Sequence, residues 1–233
     1  MRASWLRWVV PAILLGALVA VPAGAQDEPP SFKEMAASQN NLKQIVLAVH
    51  NFHDANDKFI DDIRDKDGKP LLSWRVALLP YIEENPLYES FKLDEPWDSD
   101  TNKKLIAKMP KIYAPIRVKA KPGETFYQTF TGKGTLFGEK GPLYKLTNIP
   151  DGSSSTALVV EAGAPVIWSK PADIAFDEKK PLPKLGGMFD GLLHTALCDG
   201  SVRRVRADFD ADEMKKFIMP ADGAKVDFKK LSK

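Results

Sequence analysis

From Ser38 to Asp57 the chain reads SQNNLKQIVLAVHNFHDAND, and Leu42, Ile45, Val46, Val49, Phe52 and His53 recur at helical spacing. One apolar stripe on an otherwise polar rod marks a helix that turns one face to a core. Ser31 followed three residues later by Glu34 matches a capping box and starts the helix. The polar cluster Asp54, Asn56, Asp57 and Lys58 ends it. Some 25 residues make a rod about 40 Å long, at ~1.5 Å per residue. The first third, Phe32 to Gln39, is less apolar, so full packing is predicted only beyond it.

Downstream the pattern breaks into short pieces. Asp65 to Pro70 is a turn, with Asp67-Gly68 supplying the left-handed position. Leu71 and Leu72 lead into a helix from Ser73, carried on by Trp74, Val76, Leu78 and Leu79, and Pro86 to Phe91 adds one more helical turn. Asp98 or Ser99 is placed to cap a helix from Asp100 to Met109 with Leu105 and Ile106 inward. Then the period changes. Lys111 to Val118 and Thr125 to Phe130 read as strands, Gly132 to Gly141 as a loop, and Ser155 to Glu161 as an apolar strand after the Asp151-Gly152 turn. Ile167, Trp168 and Pro171 read as an irregular edge. Leu193 to Cys198 and Ser201 to Val205 form a hairpin across Asp199-Gly200, and a last helix spans Asp210 to Met219. The predicted class is α+β: a long N-terminal helix packed on an antiparallel β-sheet, with short additional helices. Residues 31–233 are read as one domain.

The N-terminus changes the compartment. Arg2 and Arg7 precede an apolar run from Val9 to Val21, and Ala23-Gly24-Ala25 supplies a small-x-small cleavage site. This is the layout of a secretory signal peptide over residues 1–25, with a core shorter than the ~20 residues of a membrane span. Residues 26–30 form a linker with two prolines. The expected location is secreted, periplasmic or cell-envelope, with membrane attachment only if the signal stays uncleaved. Without Arg2 and Arg7 the 31 remaining basic residues equal the 31 acidic ones. A neutral chain lacks the concentrated basic face that nucleic acid requires. The Lys-rich last turns (Lys225, Lys229, Lys230, Lys233) read as a solvated tail. Cys198, alone in an exported chain, is read as a buried, inert thiol.

Five stretches, SQNNLKQIVLAVHNFHD, GKPLLSWRVALLPYIEE, PLYESFKLDEPWDSDTN, NIPDGSSSTALVVEAG and LCDGSVRRV, stand in an order that resembles the bacterial domain of unknown function 1559. That family is regarded as pilin- or pseudopilin-G-like, so the resemblance implies a pilin-like body and brings no reaction. Its structural motif falls here on Asn41, His50, His53, Trp74, Asp151, Gly152, Asp199 and Gly200. Two departures stand out. Neither Gly16 nor Gly24 is followed by the prepilin leader with Glu at the fifth position. The His that the family often carries ten residues before its closing Asp-Gly is Phe189 here, and His194 lies five residues before Asp199.

Candidate chemistry is sparse. His50 and His53 sit three apart on one helix and, with Asp54 or Asp57, have metal-ligand spacing. The ordinary reading is packing, with a buried histidine bonding a backbone carbonyl across the core. Asp94, Asp98, Asp100 and Asn102 are oxygen donors with the composition of a weak calcium site, against the plainer role of capping the next helix. Ser153-Ser154-Ser155 has no Gly-x-Ser-x-Gly context, and Gly132-Lys133-Gly134 lacks the Walker spacing. No catalytic, cofactor or firm metal residues are assigned, and an enzyme is not expected. Tyr81, Tyr88 and Trp97 are the aromatic candidates for docking a glycan or a protein partner; the alternative is that they fill the core. Two functions follow: an exported, non-catalytic structural or interaction protein, or an extracytoplasmic ligand-binding module for carbohydrate or a calcium-dependent partner.

Overall fold

The computed structural model describes residues 29–189 and 191–232, so the predicted signal peptide lies outside the described residues. In chain order the helices are α1 (Phe32–Asn56), α2 (Trp74–Ala77), α3 (Asn85–Ser90), α4 (Ala211–Ile218) and α5 (Phe228–Ser232). The strands are β1 (Ile63–Arg64), β2 (Pro70–Leu72), β3 (Glu124–Gln128), β4 (Phe130–Thr131), β5 (Phe137–Gly138) and β6 (Gly141–Pro142). They continue with β7 (Ala157–Ile167), β8 (Ile174–Ala175), β9 (Leu192–Leu197) and β10 (Val202–Arg206).

The α1 helix begins where local chemistry dictates. The Ser31 hydroxyl accepts from the Glu34 amide while the Glu34 carboxylate accepts from the Ser31 amide, which satisfies two otherwise orphaned donors. It ends at Asp57 in a left-handed conformation, φ 50°, whose amide donates to the His53 carbonyl. Leu42, Ile45, Val46 and Val49 are fully buried, each contributing about 1.5–3 kcal/mol by burial, whereas Phe32 in the first turn is exposed.

This stripe lies on a four-stranded antiparallel sheet of order β10-β9-β7-β3. Alternation along β9 turns Ala196 towards α1 and Leu193 and Leu197 to the opposite face, where Met214 and Phe217 of α4 and Leu231 of α5 pack. Both faces of the sheet are therefore covered, which explains why β7 opens with six consecutive buried residues. The architecture is α+β.

A second, small sheet of order β6-β5-β4-β8 is mixed, since β4 runs parallel to both β5 and β8. Asp65 to Pro70 closes the β1–β2 hairpin with Gly68 at φ 82°, and Gly200 turns β9 into β10 at φ 88°.

Four expectations are corrected. Lys111 to Val118 is no strand: Pro110 and Pro115 confine it to a 3₁₀ turn at Lys111–Tyr113 followed by bends, and the Tyr113 hydroxyl donates to the Arg75 carbonyl. The helix at Asp100 to Met109 is a 3₁₀ helix over Asn102–Lys108, with Ile106 only half-buried. Trp168, read as part of an irregular edge, is a core side chain: it is fully buried, stacked on Tyr113 at 6.0 Å, edge-on to Phe91 at 5.7 Å, and its Nε1 donates to the Ile106 carbonyl. The C-terminal segment is packed rather than a free tail, because α5 buries Leu231 and Lys230 reaches Glu213 at 3.4 Å; Lys225, Lys229 and Lys230 are exposed as expected, and Lys233 lies outside the described residues.

Candidate functional site

Where α1 stops, its last turn and the segments packed on it leave a cleft of about 880 Å³. Phe52 and Asn56 of α1 form one side, Tyr81 and Tyr88 the next, and Leu143 to Lys145, after β6, face them. Asp61, Asp62 and Arg64 line the segment between α1 and β2. The aromatic wall is fixed by its own contacts. Phe52 and Tyr81 meet edge to face at 5.4 Å, and Asn56 Nδ2 donates both to the Phe52 carbonyl and to the Tyr81 hydroxyl, each at 2.8 Å. Burial, then the neighbouring Tyr81, pushes the Tyr88 phenol up.

The polar groups of the cleft are largely paired. Arg64 Nε donates to Asp61 Oδ2 at 2.9 Å and its Nη2 to Asp61 Oδ1 at 3.2 Å, a bidentate fork, while Nη1 donates to the Gly68 carbonyl. Lys145 Nζ lies 2.6 Å from Asp57. Lys58 leans over the Phe52 ring at 5.8 Å. Asp62 differs: it accepts one bond, from the Trp74 amide at 2.9 Å, and burial, reinforced by the charge of Asp173, pushes its carboxyl up to about 7. Behind it Arg75, fully buried, holds Asp173 at 2.6 Å, the Tyr127 carbonyl at 2.9 Å and the Ser73 hydroxyl at 2.7 Å.

A second polar cluster is sealed between α1 and the central sheet. Glu161 of β7 accepts from the Ser38 hydroxyl, from the His194 amide at 2.7 Å and from His194 Nδ1 at 3.0 Å. The single Ser38 proton goes to the carboxylate, so Tyr127, 2.9 Å away, donates to Ser38. Burial pushes the Tyr127 phenol up, which keeps it a donor. Ser38, Tyr127, Glu161 and His194 are all fully buried, and the His194 ring lies edge-on to Phe189 at 5.1 Å. His194 Nε2 has no protein partner.

The residues singled out from the sequence fall at separate places. Tyr81 and Tyr88 share the cleft, but Trp97 lies elsewhere, half-buried with Lys170 5.2 Å over its ring. Asp94, Asp98 and Asp100 are exposed, whereas Asn102 is fully buried. Its Oδ1 accepts from the Lys92 amide and its Nδ2 contacts the carbonyls of Lys92, Glu95 and Pro96, so its carboxamide is spent on the loop rather than offered to calcium. Among the described residues no three His, Cys, Asp or Glu side chains are grouped to hold a metal ion. His50, not His53, makes the bond across the core, to the Cys198 carbonyl at 2.8 Å; His53 is buried with Nε2 unpartnered and Nδ1 3.6 Å from Asp54. Cys198 is free and buried. Asn41 reaches the Tyr127 hydroxyl at 3.5 Å, and Trp74 is buried beneath the Arg75 guanidinium. Asp151 accepts from the amides of Asp222 and Gly223, Gly152 has φ 91°, and Asp199 accepts from the Ser201 amide before Gly200.

Sequence reasoning missed Asp61, Asp62, Arg64, Tyr144, Glu161 and His194 as members of these clusters. A buried charged residue inside an apolar strand, Glu161 in ALVVEA, is the one signal that was legible.

Fold and clefts together define an α+β protein whose polar centre is enclosed and whose open feature is an aromatic, charge-paired cleft. Residues 35–135 match the model of the family described as Protein of unknown function (DUF1559). No curated protein and no solved structure matches the chain.

Proposed function

We propose that the protein is an exported, non-catalytic interaction protein with a pilin-like, pseudopilin-type body, acting outside the cytoplasm. The observation that carries this reading is the wiring of Ser38, Glu161 and His194. These are the residue types of a hydrolytic triad, but a triad needs the histidine bonded to the hydroxyl and the hydroxyl open to substrate. Here the hydroxyl and the imidazole both bond to the carboxylate, and all three side chains are buried. The cluster holds the helix on the sheet and reaches no substrate. The long helix on an antiparallel sheet supports the pilin-like body, and the N-terminal charge and apolar pattern support export.

Purified protein lacking residues 1–25 is expected to leave peptide, ester and glycoside panels intact. Turnover that Ser38→Ala abolishes in a folded variant overturns the non-catalytic reading. N-terminal sequencing of the native protein is expected to begin at Gln26 in a soluble extracytoplasmic fraction. A retained Met1 in the membrane fraction overturns cleaved export.

The second reading, an extracytoplasmic ligand-binding module, is favoured by the cleft at Tyr81 and Tyr88. It is the form of interaction protein that the geometry supports best, with a glycan or protein outside the cytoplasm as partner and no nucleic acid.

A further inference from the structure

We propose that the cleft at the C-terminal end of α1 binds a neutral saccharide, with Tyr81 and Tyr88 against its C–H faces and the Arg64–Asp61 pair on its hydroxyls. The inference rests on the ligand-binding form of the function proposed above and names the ligand class.

Three observations point to it. The first is shape and lining: a cleft of about 880 Å³, with Phe52, Tyr81, Tyr88 and Tyr144 among its lining residues, fits a small-molecule site. An aromatic face accepts the apolar side of a sugar ring, while the phenolic edge stays polar.

The second is that most of the charges are already matched, with Lys58 set over the Phe52 ring rather than on a carboxylate. Arg64 is forked onto Asp61, and Lys145 is on Asp57. The one carboxyl of the cleft without a cation forked onto it, Asp62, is driven by burial towards its uncharged form. A ligand charge set on Arg64, Asp61 or Lys145 has to break a formed pair, which is costly in a partly enclosed site. A neutral polyol has nothing to break.

The third is spare hydrogen-bonding capacity. A guanidinium has five N–H groups, of which Arg64 uses three, and Asp61 Oδ2 accepts only from Arg64. The Tyr81 hydroxyl accepts from Asn56 and keeps its own proton to give. Donors and acceptors thus stand beside an aromatic wall, as alternating hydroxyls of a sugar require.

The test is calorimetric titration of the protein lacking residues 1–25 with neutral gluco-, manno- and N-acetylglucosamine oligomers, alongside anionic galacturonate and cationic glucosamine oligomers. A neutral oligomer is expected to bind. Tyr88→Ala and Arg64→Gln are each expected to weaken it about tenfold or more, with Trp97→Ala, outside the cleft, unchanged. Saturation-transfer NMR on the unmutated protein is expected to show contact with tyrosine ring protons, which covers a variant that fails to fold. Binding of charged oligomers only, no binding by any neutral oligomer, or unaltered affinity in both cleft variants overturns the inference. Chromatography of the same mixtures separates the two claims: a bound saccharide that is cut overturns the non-catalytic reading and leaves the ligand class standing. Intact binding of charged oligomers alone does the reverse.

Discussion

Glu161, under the N-terminal half of α1, and Asp62, six residues past its end, are both carboxyls taken out of water, and their surroundings treat them in opposite ways. Glu161 is wholly enclosed and receives three donors, two from His194 and one from Ser38. Asp62 is less enclosed, receives one donor, and has Asp173 and Asp61 as anionic neighbours, with Arg75 offsetting only part of their effect. Burial by itself does not set the role of a carboxyl; the donors built around it do. The first group ties a helix to a sheet. The second is left able to change charge at the edge of a cleft.

The comparison breaks most directly at Glu161. Glu161→Ala leaves two His194 donors buried without an acceptor and removes the bond from Ser38, and about 3–5 kcal/mol of stability is expected to go. Urea unfolding at neutral pH measures it. A loss under about 1 kcal/mol means that the cluster does not tie α1 down, and the contrast with Asp62 collapses.

Asp62 sharpens the contrast through pH. Its carboxyl sits at about 7 in the folded protein against an ordinary 3.8. Between these values the native state holds a proton that the unfolded chain has released, so this group's contribution falls as pH rises from about 4 to about 7 and is flat above. The full span is worth at most about 4 kcal/mol. Asp62→Asn keeps an oxygen for the Trp74 amide and removes the titration. The variant is therefore expected to match the parent near pH 4 and exceed it at pH 8, in paired unfolding curves. Parallel pH profiles would sink the assignment.

What the sequence disclosed follows the range of each interaction. The Ser31–Glu34 box, the Asp-Gly turns and the stripe from Leu42 to Val49 are local, and all are present. The helix-on-sheet class follows from that stripe meeting a chain of short strands. Ser38 and Glu161 lie 123 residues apart, so no spacing rule connects them. Trp168 reads as an edge because its flanking Ser169 and Pro171 look like surface, while Phe91 and Tyr113, remote in sequence, enclose it. His53 sits centrally in the apolar stripe, yet His50 on the flank finds the carbonyl, because the accepting Cys198 carbonyl lies at the hairpin end. Tyr81 and Tyr88 were legible as a pair, being close in sequence. Their partners across the cleft, Tyr144 and Asp61, come from other elements.

The smallest effect is expected at Gly141, where the cleft's polar wall is set by backbone. Gly141 has φ 105°, a region that favours glycine, and a Cβ there would lie 2.8 Å from Asp61 Oδ2. Gly141→Ala therefore strains the β5–β6 turn and pushes the carboxylate that Arg64 grips. Stability is expected to drop by about 1–2 kcal/mol. Gly152→Ala is the matched control: its φ is 91°, but nothing lies within 4 Å of the added methyl, so it carries backbone strain alone. If the Asp61–Arg64 fork is what meets the ligand, Gly141→Ala loses saccharide affinity while Gly152→Ala keeps it. Equal affinity in both means that the fork stands apart from the ligand, and Asp61 joins Glu161 as a purely structural carboxylate.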